Sequence, residues 1–171
     1  MSLQRVVRCL SWLVLTLTAG AASAQQLAVP YGSPIEGASA KKIAAAALAE
    51  ARKNNWRMAA AVVDGSGELV YFEKIDGTQV ASTDIAIDKA RSSARFKRRT
   101  KAFQDAIAKG GAEVRLLGLR GVVATEGGVP IVIDGKVVGA IGVSGGTGAQ
   151  DEQCANAGIA VLEPPDLVDV N

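Results

Sequence analysis

Beyond residue 38, apolar and polar residues follow two rhythms, and each change of rhythm marks an element. Ala44, Ala47, Leu48 and Ala51 make a helical stripe behind Ser39, so the spacing predicts a helix capped at Ser39 and running to about Asn54. Met58 to Val63 is a short apolar run. Asp64-Gly65-Ser66-Gly67 reads as a turn, and Leu69 to Ile75 as a returning strand, which together make a β-hairpin. A second helix starts at Ser82 or Thr83. Ile87, Ala90 and Ala94 should face the sheet. Asp84 and Asp88 lie early, while Arg91, Arg95, Lys97, Arg98 and Arg99 lie late, an order that suits the helix dipole.

Lys101 to Lys109 continues as a helix closed by Gly110-Gly111. Val122 to Thr125 and Val129 to Ile133 read as strands, and Asp134-Gly135 is the pair a two-residue type I′ turn demands before Lys136 to Ser144 returns. A last helix covers about Ala149 to Leu162, before Pro164-Pro165. The fold class is α/β of the α+β type, with about five mainly antiparallel strands and helices covering at least one face.

The ends behave differently. Residues 1–24 begin with Arg5 and Arg8, continue through an apolar run from Cys9 to Thr18, and close on Ala22-Ser23-Ala24, the pattern of a secretory signal peptide. The run is too short for a comfortable membrane span. The expected product starts at Gln25 and is periplasmic or secreted. Residues 25–37, with Pro30 and Pro34, form an extended arm that needs a surface to lie on, a neighbouring subunit being one candidate. Residues 38–162 make a single domain and 163–171 a tail.

Removing the leader changes the charge. Without its two arginines the 19 basic residues fall level with the 17 acidic ones, so the basic balance is no argument for a nucleic-acid partner. Only Cys154 remains, which excludes an intramolecular disulfide. The chain has no histidine, which excludes a Ser-His-Asp or Cys-His nucleophile and removes the commonest ligand of zinc and haem.

The glycines of residues 127–146, GGVPIVIDGKVVGAIGVSGG, need a reason. Gly139, Gly142, Gly145, Gly146 and Gly148 do not match the spacing of a dinucleotide fingerprint, and no P-loop lysine follows. Strand alternation explains more. Val138, Ala140, Gly142 and Ser144 share one face, which shrinks along its length and admits a helix backbone or a flat ligand. The loop Gly145 to Gly148 precedes the last helix, whose free N–H groups suit an anion such as a carboxylate. Asp151 and Glu152 already offset that dipole.

Gly127-Gly128-Val129-Pro130-Ile131, Asp134 to Gly146, and Gln150-Asp151-Glu152 resemble the GlcG/HbpS-like family, which includes the C-terminal domain of PduO-type proteins. Ala60 to Asp64 with Gly67 to Val70, and Asp88-Lys89-Ala90, agree with it. The resemblance covers about residues 38 to 162. It implies a five-stranded antiparallel sheet with packed helices, homo-oligomers that are often octamers, and haem binding in several secreted members. Other members accompany glycolate or corrinoid metabolism.

Residue types and resemblance together nominate a ligand site at Asp88, Lys89, Arg91, Ser92, Arg95, Gly127, Gly128, Pro130, Ser144, Gly145 and Gly146. No catalytic residue and no metal site is assigned. The cofactor implied is haem, without a histidine to ligate it. The remaining ligand candidates are Met58, Tyr31, Tyr71, Cys154, Ser92, Ser93 and Thr147, but Met58, Tyr71 and Cys154 read more simply as packing residues. Arg91, Arg95, Arg98 and Arg99 are either a solvated helix end or a cradle for propionates or a small carboxylate. Three functions stand at this point: a secreted haem- or small-ligand-binding protein, an enzyme acting on a small hydroxyacid or oxoacid through Asp88, Lys89 and Arg91, and a ligand-free structural oligomer. The partner common to them is a second copy of the chain.

Overall fold

Two antiparallel hairpins, set side by side, make the sheet. In the computed structural model, which describes residues 29–162, β1 (Ala59–Asp64) and β2 (Leu69–Lys74) form one hairpin, and β3 (Gly128–Ile133) and β4 (Lys136–Ser144) the other. β1 also pairs antiparallel with β4, giving the order β2-β1-β4-β3. The helices are α1 (Gly37–Lys53), α2 (Ser82–Phe96), α3 (Thr100–Ala108) and α4 (Gly148–Ile159), with a 3-10 run over Gly111–Gly118. The expected leader, the start of the arm and the tail lie outside the described residues.

Local chemistry sets the turns and caps. Asp134 and Gly135 have φ of 50° and 68°, the two left-handed residues a type I′ turn requires. In the first hairpin Asp64 Oδ1 accepts from the backbone N–H of Ser66 (2.8 Å) and Glu68 (3.0 Å). Thr147 caps α4 in a reciprocal box with Gln150. Ser39 does not cap α1. That helix starts two residues earlier, with Glu36 at the cap position and no side-chain bond.

Among the described residues the strand count is four, not five. Val122 to Thr125 is not a strand, because its surroundings give it no partner ladder. Gly121 and Gly127 flank it at φ of 85° and 110°, and the Val123 N–H is taken by Ser92 Oγ at 3.1 Å. The arm supplies extra pairing instead. β1 ends at Asp64 opposite Gly139, and the vacated lane beside β4 is filled by the arm, with Val137 N donating to Pro30 O and Gly32 N to Val137 O, both at 2.9 Å. The surface the arm lies on is thus its own sheet. Tyr31 fastens it: its hydroxyl donates to the Ala94 and Arg95 carbonyls at 3.1 Å, and Lys97 Nζ sits 4.2 Å from its ring centre.

Both faces of the sheet are covered. On one, Ala60, Val62, Val129, Ile131, Ile141 and Val143 pack against α1 and α4 through Ile43, Ala47, Leu48, Cys154 and Ala155. On the other, Ala59, Ala61, Val63 and Ala140 meet Ala86, Ala90 and Ala94 of α2. This second layer is built from methyl groups, so helix and sheet approach closely. Gly142 marks the tightest point. A methyl built there would run into the Ala86 carbonyl oxygen and stand 2.5 Å from the Ala90 nitrogen. The small end of that β4 face, Ala140 and Gly142, is the seat of a helix backbone, whereas Val138, next to a register shift in the β3–β4 pairing, packs in the opposite layer. No helix among the described residues is long and apolar enough to cross a membrane.

Candidate functional site

The nominated residues fall into two groups that do not meet as one site. Helical geometry separates them. Asp88, Arg91 and Arg95 recur at i, i+3 and i+7 on the outer face of α2, while Lys89 and Ser92 lie about a quarter-turn away and point inward.

The inward group surrounds a buried ion pair. Lys89 Nζ donates to Asp151 Oδ2 at 2.7 Å and to the Val143 carbonyl at 3.1 Å, with side chains 2% and 4% exposed. The other carboxylate oxygen accepts from Gly146 N at 3.0 Å, and the neighbouring Gly145 N–H also favours the charged carboxylate. The anion expected at this glycine loop is therefore the chain's own Asp151. Burial pushes the Asp151 carboxyl above its usual range, against the opposing pull of Lys89 and the two loop N–H groups.

The glycine pair at the entry to β3, Gly127 just before it and Gly128 its first residue, closes the same spot. A methyl on Gly127, whose φ is 110°, would stand 2.7 Å from Asp151 Cβ and 3.1 Å from Lys89 Nζ. A methyl on Gly128 would stand 2.5 Å from Thr100 Cγ2 and 2.6 Å from the Lys89 carbonyl oxygen. Gly128 N donates to buried Thr100 Oγ1 at 2.9 Å, and Ser144 Oγ pairs with Ser82 Oγ at 3.4 Å. Pro130 lies on the α2 side of the sheet opposite Ala140. This group is a sealed polar joint between α2, β4 and α4. Lys89 is no free amine for a carbonyl substrate.

The outward group lines an open cleft of about 330 Å³ formed by Asp88, Arg91, Arg95, Gly121, Val122 and Val123. That volume lies at the lower end of the roughly 300–1,000 Å³ range of small-molecule sites. Both guanidiniums are held from behind by the β1–β2 turn, Arg91 Nε donating to Gly67 O at 3.2 Å and Arg95 Nε to Ser66 O at 2.9 Å. Their outer nitrogens meet only distant acids, Asp88 at 3.9 Å from Arg91 NH1 and Glu68 at 3.6 Å from Arg95 NH2. Arg95 also borders a neighbouring groove of about 510 Å³ lined by Tyr31, Gly32, Pro34, Gly65 and Ser66.

The basic residues do not form a single stripe. Arg98 stacks over Phe103, and Arg99 NH1 donates to Glu152 Oε1 (2.8 Å) and Asn156 Oδ1 (2.9 Å).

The candidate iron ligands are committed elsewhere. Met58 and Cys154 are buried, and the Cys154 thiol is pushed up to about 12, first by burial and then by the charges of Glu50 and Asp151. Burial and the neighbouring Glu73 raise the Tyr71 phenol, which donates to Glu73 Oε2 at 3.3 Å. Ser92 accepts from Val123 N, Ser93 donates to Arg98 O, and Thr147 caps α4. Tyr31 is the exposed exception, with its hydroxyl bonded at the end of α2.

Sequence reasoning missed Asp151 as the partner of Lys89, Thr100 as the partner of Gly128, and Gly121 to Val123 as the cleft wall. Asp151 carried a signal, the Gln150-Asp151-Glu152 motif at a helix start. The other residues carried none.

Residues 35–160 match the family described as haem degrading protein HbpS-like. Protein GlcG of Escherichia coli (strain K12) is 42% identical over 105 residues, spanning 61% of this chain and 77% of that one. The structure of Klebsiella pneumoniae protein ORFY is similar at a TM-score of 0.72 and 31% identity, over 77% of this chain and 94% of that one. The structure of a double mutant of Streptomyces reticuli HbpS is similar at a TM-score of 0.71 and 30% identity, over 82% and 95%.

Proposed function

The chain belongs to the HbpS-like family, and from that premise we propose that it is an exported, homo-oligomeric protein that binds haem or another small carboxylate-bearing ligand. The observation that carries the reading is the pair of guanidiniums on the outer face of α2, pre-oriented by Gly67 and Ser66 and opening on a cleft. Such side chains have already lost much of the rotamer freedom that anion binding costs, so a propionate or similar group gains charge-assisted hydrogen bonds with little further ordering. Val122 and Val123 give the cleft an apolar wall.

Binding rather than turnover fits this geometry. A hydroxyacid enzyme using Asp88, Lys89 and Arg91 would need Lys89 at the cleft, and that amine is sealed against Asp151. The family description names haem, which supports haem as the ligand to test first.

The test is a haemin titration followed in the Soret region. We expect saturable binding that Arg91→Ala and Arg95→Ala each weaken by about 1–3 kcal/mol, the scale of a lost charge-assisted bond. Saturable binding left unchanged by both variants would remove the cleft from the proposal. No binding at all would remove haem.

A further inference from the structure

We infer that the α2 cleft recognises its ligand by carboxylates and apolar contact and not through iron, so that a metal-free porphyrin dicarboxylate is as good a ligand as haem. The inference rests on the haem-binding reading above and narrows it to a chemical class.

The donor set of this chain does not fit an iron-ligated haem. Protein ligands of haem iron are imidazole, thiolate, thioether and phenolate. Imidazole is absent from the whole chain. Among the described residues, the thiol and the thioether are both buried in the core, and neither lines the cleft. The exposed phenol, Tyr31, donates to two carbonyls at the C-terminal end of α2. A phenolate there would lose both bonds and face the negative pole of the helix.

The anion-binding parts fit well. Arg91 and Arg95 are one helical turn apart, so their side chains leave the helix about 5–6 Å from each other. Each Nε is spent on a turn carbonyl, which fixes the guanidinium plane. The acids that face their outer nitrogens, Asp88 and Glu68, stand at 3.9 and 3.6 Å, beyond good hydrogen-bond reach, so an incoming carboxylate displaces little. A rigid ring carrying two carboxylates on short arms matches this spacing, and its apolar edge can lie on Val122 and Val123. Nothing in that match involves the centre of the ring.

Asp88 is the one side-chain oxygen of the cleft that could reach a metal, and it supplies the control. Haemin and metal-free protoporphyrin IX are titrated in parallel into the purified protein and into Asp88→Asn, with quenching of intrinsic tryptophan fluorescence as the readout. We expect dissociation constants within about threefold of each other for the two ligands. Haemin binding tenfold or more tighter than the metal-free ring would overturn the inference, and loss of that margin in Asp88→Asn would assign the iron to this carboxylate. Failure of both ligands to bind would overturn the haem-binding reading itself, and this inference with it.

Discussion

Replacing Lys89 with methionine tests the sealed joint between α2, β4 and α4. Methionine keeps an unbranched apolar stem, one atom shorter, and removes the ammonium that donates to Asp151 and to the Val143 carbonyl. The carboxylate stays 4% exposed with only loop N–H groups to neutralise it. Breaking a buried pair from one side costs about 3–5 kcal/mol, because a charge is left without its partner. Typical domains hold about 5–15 kcal/mol in total, so the variant loses a large part of its stability.

The second variant, Asp151→Asn, leaves the ammonium unpaired and loses a comparable amount. The double variant Lys89→Met/Asp151→Asn removes both charges, and the amide oxygen can still accept from Gly146. It should be more stable than the two single losses predict by about 2–3 kcal/mol.

Urea unfolding at fixed protein concentration measures all four proteins, with midpoints compared at equal slope. The dependence on pH has a definite sign. Asp151 has a raised folded pKa already, and loss of Lys89 raises it further. A carboxyl with a raised folded pKa costs nothing below its unfolded value and costs most above its folded value. The defect of Lys89→Met should therefore shrink as pH falls through the folded pKa of Asp151. Additive single losses, or a defect that deepens on acidification, would refute the account of the joint.

Gly142→Val should destabilise by about 1–3 kcal/mol or more, since the added side chain meets the backbone of Ala86 and Ala90; an unchanged melting temperature would show the contact to be open. The exported protein should start at Gln25, and an intact mass that retains residues 1–24 would refute the cleavage. Light scattering at micromolar protein should give several times the mass of one chain. The motive is the charge balance expected once residues 1–24 are removed, and the exposed Val114, Leu117 and Leu119 on or beside a 3-10 run that buries no residue. A monomer mass would refute assembly.

Most elements were legible because they follow local rules. The period-2 face of β4, the Asp134-Gly135 turn and the alanine repeat of α2 each point to one partner, and the structure brings those partners together. The fifth strand failed because two valines cannot announce where their N–H groups go. Ser92 and flanking glycines decided it. The site was half legible. Residue types nominated Asp88 to Arg95 as one chemical neighbourhood, but adjacency in sequence hid a quarter-turn of helix that sends Lys89 into the interior and Arg91 to the surface. The pairing of Lys89 with Asp151 spans 62 positions. Its only local trace was an acid at the start of α4, where an acid is expected anyway.

The two layers beneath and above the sheet differ in one respect that governs how the protein can vary. On the α1 and α4 side, isoleucine, leucine and valine can exchange volumes by changing rotamers. On the α2 side, the contact is made mainly of alanine methyls and of glycines with no side chain at all. Such a surface has almost no rotamers to adjust, so it has a single way of fitting and cannot absorb an added carbon by local rearrangement. A saturation library should therefore divide sharply by face, permissive beneath α1 and α4 and nearly closed beneath α2. The helix that carries the cleft arginines is thereby held at a fixed height above the strands, whatever drift the opposite layer accumulates.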